Sequence, residues 1–283
     1  MVSKLLAAIL LLNVVLSPSI HARPMPHPTN PPGIGMDNLA GIDMRPPERK
    51  RFVDVFGTIT VPHIQVPPRS SVPHIQDHLA SSVPQFASFW VGFDAGEDHP
   101  SPFLLRAGLQ CVVDEHGAAK FYPFVQWHPQ HPPYHYTEDQ LQLVAGNKFS
   151  VAISVNSAGT LSGIRMENLS KSRLNPIVLS KQLDDPASRG SRVKWMVEEP
   201  DGISFPTSEL VNSDVTFTDC KAWLRTANPE ISDRGVAMFP NSRLSNIYWT
   251  RQLTVTPVEI VKSSGTAFSE FKVGYSEGGE SHQ

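Results

Sequence analysis

From Phe52 onward the chain keeps returning to one pattern, a short run of β-branched and aromatic residues alternating with polar ones and closed by a turn signal. The runs are Phe52–Val61, Ala87–Phe93, Phe103–Val113, Lys120–Trp127, Asn147–Asn156, Ser162–Asn168, Arg192–Glu198, Asp214–Ala222, Ser245–Val258 and Phe271–Tyr275. Between them stand Asp114-Glu115-His116-Gly117, Asn156-Ser157-Ala158-Gly159 and Glu199-Pro200-Asp201-Gly202, whose small polar residues suit tight turns. A helical stripe is confined to a short stretch near Asp139–Ala145. Many short strands at this spacing predict an all-β chain, folded as an antiparallel sandwich or barrel.

Side chains alternate across a strand, so the pattern also assigns faces. Arg106, Gly108 and Gln110 share one face of their run, while Leu105, Ala107, Leu109 and Cys111 share the other, predicted to be core. Lys194, Met196 and Glu198 oppose Trp195 and Val197, and Tyr122, Phe124 and Gln126 oppose Val125 and Trp127. Several strands therefore combine a buried face with a polar or aromatic one. A groove lined in that way suits an extended polymer, peptide or glycan.

Residues 1–22 read as a secretory signal: Lys4, an apolar run from Leu5 to Leu16, the breaker Ser17-Pro18-Ser19, then Ile20-His21-Ala22. The run is shorter than the ~20 residues a bilayer span needs, and no later segment is apolar enough for a membrane helix. The expected location is extracellular. Residues 23–51, rich in Pro, Gly, Met and Asn, are predicted to be extended or disordered. They end in Glu48-Arg49-Lys50-Arg51, which resembles a kexin-type processing site and places the mature start near Phe52. The sandwich domain is then expected over 52–276 and a disordered tail over 277–283. The pentapeptide Val61-Pro62-His63-Ile64-Gln65 recurs as Val72-Pro73-His74-Ile75-Gln76, too few copies for a repeat fold and read as a duplicated loop.

Secretion allows one intramolecular disulfide, Cys111 with Cys220, against the alternative of two buried thiols. Asn168-Leu169-Ser170 is a glycosylation sequon. A net charge of −3 argues against nucleic acid as a partner, because neutralising phosphates needs a basic face. The expected partner is a protein or peptide substrate met by a monomer. No Gly-x-Ser-x-Gly elbow, His-Glu-x-x-His, P-loop or dinucleotide fingerprint occurs. The His-rich stretch from His128 to His135 is interrupted by Pro129, Pro132 and Pro133 and reads as a solvated loop, so neither metal nor cofactor is expected. Glu198 and Glu199 point to opposite faces and cannot converge to the ~5 Å of a retaining glycosidase pair.

Seven segments, in order, resemble those of the glutamic peptidases, the eqolisin family. Ser88-Phe89-Trp90-Val91-Gly92-Phe93-Asp94 is similar to the family's Trp-Val-Gly-Ile-Asp, and Leu104-Leu105-Arg106-Ala107-Gly108-Leu109-Gln110 to Ile-Leu-Gln-Thr/Ala-Gly-Val-Asp. Val125-Gln126-Trp127-His128-Pro129 is similar to Tyr-Glu-Trp-Tyr-Pro, Glu167-Asn168-Leu169-Ser170 to Glu-Asn-Leu-Thr, and Trp195-Met196-Val197-Glu198-Glu199 to Trp-Ile-Val-Glu-Asp. Val215-Thr216-Phe217-Thr218-Asp219 and Phe271-Lys272-Val273-Gly274-Tyr275 complete the series. The resemblance implies a two-sheet, concanavalin A-like sandwich and a secreted acid endopeptidase without a metal. It also implies a Glu–Gln dyad, in which Glu activates water and then protonates the leaving amine, while Gln orients the water and donates to the oxyanion.

Residue by residue, the Glu is Glu198, but Arg106 stands in the place of the Gln. Trp90 and Asp94 of the groove are kept, whereas its Asp is Gln110 and its Glu is Gln126. The family's N-terminal strand is not evident before Phe52. An Arg facing Glu198 is expected to form a bidentate ion pair on an adjacent strand, lowering the Glu pKa by roughly 1–3 units and displacing water. The neutral Gln110 and Gln126 remove counter-charges that Arg106 would otherwise meet. On this reasoning peptidase activity is low or absent, and Arg106→Gln raises it. A silent member that binds extended peptide, or a sandwich that binds or cleaves glycan on Trp90, Trp127, Tyr122 and Phe124, are the alternatives.

Overall fold

The structure, a computed structural model, describes residues 39–46, 50–64, 85–94, 104–113, 118–128, 131–156, 160–182, 192–198, 215–226, 234–237, 242–245, 258–264 and 267–273. Fifteen strands lie among them. They are β1 (Leu39–Met44), β2 (Lys50–Thr60), β3 (Gln85–Asp94), β4 (Leu104–Val113), β5 (Ala119–His128), β6 (Tyr134–His135), β7 (Lys148–Val155) and β8 (Leu161–Asn168). The rest are β9 (Ile177–Gln182), β10 (Arg192–Glu198), β11 (Val215–Thr226), β12 (Arg234–Ala237), β13 (Ser242–Ser245), β14 (Val258–Ser264) and β15 (Ala267–Val273). Among the described residues one helical turn, α1 (Glu138–Leu141), overlaps the stretch near Asp139–Ala145 where the sequence shows a helical stripe.

The strands pair antiparallel into two sheets, one ordered β13-β1-β10-β3-β4-β5-β6 and the other β14-β15-β11-β2-β7-β8-β9, with β12 beside β11. This is the expected two-sheet sandwich. The inward faces supply one core, including Phe89, Val91, Leu105, Leu109 and Trp195 from the first sheet and Val55, Phe149, Val151, Ile153 and Phe217 from the second. Trp195 joins the layers: its indole nitrogen donates to the Phe56 carbonyl at 2.9 Å. A Cβ on Gly57 would lie 2.9 Å from the Trp195 ring, so the missing side chain there lets the indole reach the opposite backbone.

Three points that were expected or left open on sequence grounds are decided by the structure. The sandwich does not begin at Phe52. Leu39–Met44 is a strand of the first sheet, with Ile42 and Met44 fully buried, and Lys50 and Arg51 already pair with Thr226 and Arg225. Cys111 and Cys220 form no disulfide; both are buried thiols, and burial pushes Cys111 up to about 12. Asn168 is 1% exposed, and its amide nitrogen donates to the Leu141 carbonyl and to Asn147 Oδ1, so the sequon's acceptor atom is inside the folded domain.

The run beginning at Asp214 continues to Thr226 because a bulge between Thr218 and Lys221, with Asp219 at φ 55°, lets the strand bend and resume pairing. β9, which the sequence leaves unmarked, closes one edge of the second sheet. Strands are present at Ser242–Ser245 and Val258–Ser264, while most of the predicted Ser245–Val258 run lies outside the described residues. So do residues 1–38, the second pentapeptide, the turn centres at 114–117 and 199–202, and the tail. Among the described residues no helix is long and apolar enough to cross a membrane.

Candidate active site

The outward face of the first sheet carries the residues singled out from the sequence. Cross-strand register sets them in rows. Asp43, Lys194, Gly92, Arg106 and Gln126 form one row across β1, β10, β3, β4 and β5. The next holds Gly41, Met196, Trp90, Gly108, Phe124 and His135, and a third holds Glu198, Ser88, Gln110 and Tyr122. Arg106 and Glu198 are therefore not on adjacent strands. β3 runs between them, so the two positions are separated by two inter-strand steps, about 10 Å across the sheet, and by two rows, about 13 Å, along the strands.

A long side chain spans that gap. Arg106 reaches toward Glu198 past Gly108, where no side chain stands in its way. Trp90 and Phe124 flank Gly108, and the guanidinium carbon lies 5.2 Å and 5.5 Å from their ring centres. Trp90, Phe124 and Met196 form a small apolar cluster separate from the main core. Nature's glycine is also required sterically, because a Cβ at Gly108 would sit 2.1 Å from the Phe89 carbonyl oxygen.

At the end of this passage Arg106 Nη1 donates to Glu198 Oε2 in a buried ion pair. The Trp90 indole nitrogen donates to the same oxygen at 2.9 Å. Arg106 Nε donates to Gln126 Oε1 at 2.7 Å. Glu198, Arg106 and Gln126 are 4%, 6% and 5% exposed. The expected bidentate pair is thus replaced by a single-oxygen one. The guanidinium arrives side-on with Nε committed to Gln126, so only one of its remaining nitrogens meets the carboxylate. Among the described residues, no hydrogen bond engages Glu198 Oε1 or Arg106 Nη2. Burial draws Arg106 down to about 9, which leaves it a cation at acid and neutral pH.

Asp94 keeps its place on this face, ion-paired with Lys194, and Arg192 pairs with Asp43 at 3.5 Å. Gln110 lies in the Glu198 row, half-buried. Trp127 instead faces the core side, its indole nitrogen 3.4 Å from Ser162 Oγ, so it is no part of a groove platform. Among the described residues no three His, Cys, Asp or Glu side chains gather as a metal site.

A buried Glu held by an indole and a cation thus lies on the outward face of the first sheet. A sequence model of the Peptidase A4 family matches residues 37–269. The chain belongs to this family, the glutamic peptidases or eqolisins. No curated protein matches the chain. The glutamic peptidase match begins just before β1, in agreement with the sheet and against a domain starting at Phe52. Relative to that family's Glu–Gln dyad, the sequence reading missed the role of Gly108, whose signal was present: a glycine two residues after Arg106 on the same strand face, opposite Trp90.

Proposed function

We propose that the protein is a secreted acid endopeptidase in which Glu198 is the general base and Arg106 takes the family Gln's place as oxyanion donor. The observation that carries this is that both donors to Glu198 land on Oε2. Oε1 is left to take a proton from water as the water oxygen attacks the peptide carbonyl, and Arg106 Nη2 is left to donate to the oxyanion. Glu198 then returns the proton to the amide nitrogen as the C–N bond breaks. The ion pair with Arg106 favours the carboxylate form over the acid and so makes Glu198 a weaker base, which slows the reaction relative to Gln. Secretion rests on the signal-like residues 1–22.

The near-complete burial of the pair favours a second reading, in which extended peptide binds and water never reaches Oε1. Sugar stacking has less support, since Trp90 and Phe124 are 1% and 2% exposed and are taken up by Arg106. Cleavage of a denatured protein between pH 2 and 5 tests the proposal. The natural protein is expected to cleave slowly, Glu198→Gln to lose at least ~10²-fold, and Arg106→Gln to gain roughly tenfold. Binding without cleavage by the natural protein and by Arg106→Gln would establish the silent reading instead.

A further inference from the structure

The guanidinium of Arg106 is held at three places: between two rings, against Glu198 and against Gln126. The rings allow it to turn within its own plane, because a π face has no preferred partner atom around the guanidinium edge. The Nε–Gln126 bond removes that freedom. With Nε fixed on one side, Nη1 meets Glu198 Oε2, and a fork-like grip on both carboxylate oxygens, the geometry Arg ordinarily favours, is not formed.

We propose that Gln126 is a positioning residue for Glu198: acting through Arg106, it restricts the cation to one carboxylate oxygen and keeps the other open. Its neutrality matters as much as its reach. A carboxylate at this position would share the charge of Arg106, whereas an amide oxygen orients the guanidinium and leaves its charge to Glu198. The other charged groups described on this face are Arg192 and Lys194 on β10, Asp94 on β3, Asp43 on β1 and the exposed Lys120 at the far end of β5; Arg192 pairs with Asp43 and Lys194 with Asp94. Tyr122 on β5 and His135 on β6 are the further titratable groups on the strands beyond Arg106. Arg106 is the one cation in contact with Glu198 among the described residues.

This inference rests on the reading of Glu198 as the general base, but its test needs no turnover. The Trp90 indole proton bonds directly to Glu198 Oε2, so its NMR resonance reports the carboxylate's titration. Gln126→Glu is expected to raise the titration midpoint by about one pH unit, as the second carboxylate draws on the same cation. Gln126→Met, close in size but without a strong acceptor, is expected to lower the midpoint, because the guanidinium can turn toward a two-oxygen grip on the carboxylate. Gln126→Leu is expected to do the same. A purely structural Gln126 would lower the melting temperature of these two neutral variants and leave their indole midpoints at the natural value, which would overturn the proposal; either of the two suffices if the other does not fold. Gln126→Glu serves as the control that the indole reads the charge around Glu198, since an added carboxylate raises the midpoint whatever Gln126 does. If the midpoint moves in a protein that never cleaves peptide, the positioning role stands and the proposed activity falls. If the protein cleaves with an unmoved midpoint, the reverse holds.

Discussion

At Asp43 burial and ion pairing pull in opposite directions. Burial raises its pKa above the ordinary 3.8, Asp94 adds to the rise, and Lys194, Arg192 and Arg45 oppose it without cancelling it. One oxygen meets Arg192 at 3.5 Å, while Oδ1 is buried without a hydrogen-bond partner. The folded state therefore holds the Asp43 proton more tightly than the unfolded chain does. The stability this contributes is fully present below 3.8 and is lost as pH rises through the folded value. The melting temperature should fall as pH is raised from the acid side through this window. Asp43→Asn, which resembles the protonated acid, should flatten that part of the profile. A variant with the natural slope would show that Asp43 is not the group responsible.

Among the elements, β1 has the largest consequence for the site. It pairs with Val193–Glu198 of β10, placing Leu39 opposite Glu198 and Asp43 opposite Lys194. Processing after Arg51 would remove β1 and cut into the paired start of β2, taking away Ile42 and Met44. Losing side chains of that size from a core costs about 2–5 kcal/mol each. A chain beginning at Phe52 should consequently fail to fold or melt far below one beginning at Asp37, measured by circular dichroism. N-terminal sequencing of the mature protein should find a start before Leu39. A stable, folded mature form starting at Phe52 would contradict the role of β1.

For the whole molecule, Trp195 ties the two layers together. Its neighbours on β10 put Met196 and Glu198 on the outward face, so the strand that carries Glu198 is also the strand that reaches through the core to Phe56. Trp195→Phe removes the inter-sheet hydrogen bond and strands the Phe56 carbonyl, a loss of about 1–3 kcal/mol. Denaturant unfolding should show a lower midpoint with an unchanged slope. A midpoint equal to that of the natural protein would mean the sheets are held in place without it.

Alternation along a strand is a local property, and it was fully legible in the residues. Period two separated Arg106, Gln126 and Glu198 from the core side chains on the same strands, and Arg192–Glu198 is a strand with the bounds read from sequence. The family was legible too, through ordered segments whose spacing survives the change of individual dyad residues. Which strands meet is a different matter, because it depends on partners far along the chain. β1 contains Gly41 and lies beside a Pro-rich stretch, and it is a strand because β10 and β13 pair with it on either side. The insertion of β3 between Arg106 and Glu198, the open passage over Gly108 and the side-on guanidinium all follow from that pairing. So do the unbridged cysteines and the buried Asn168 amide: a residue's type says what it can bond to, while its distance from a partner is decided only when the sheets have packed.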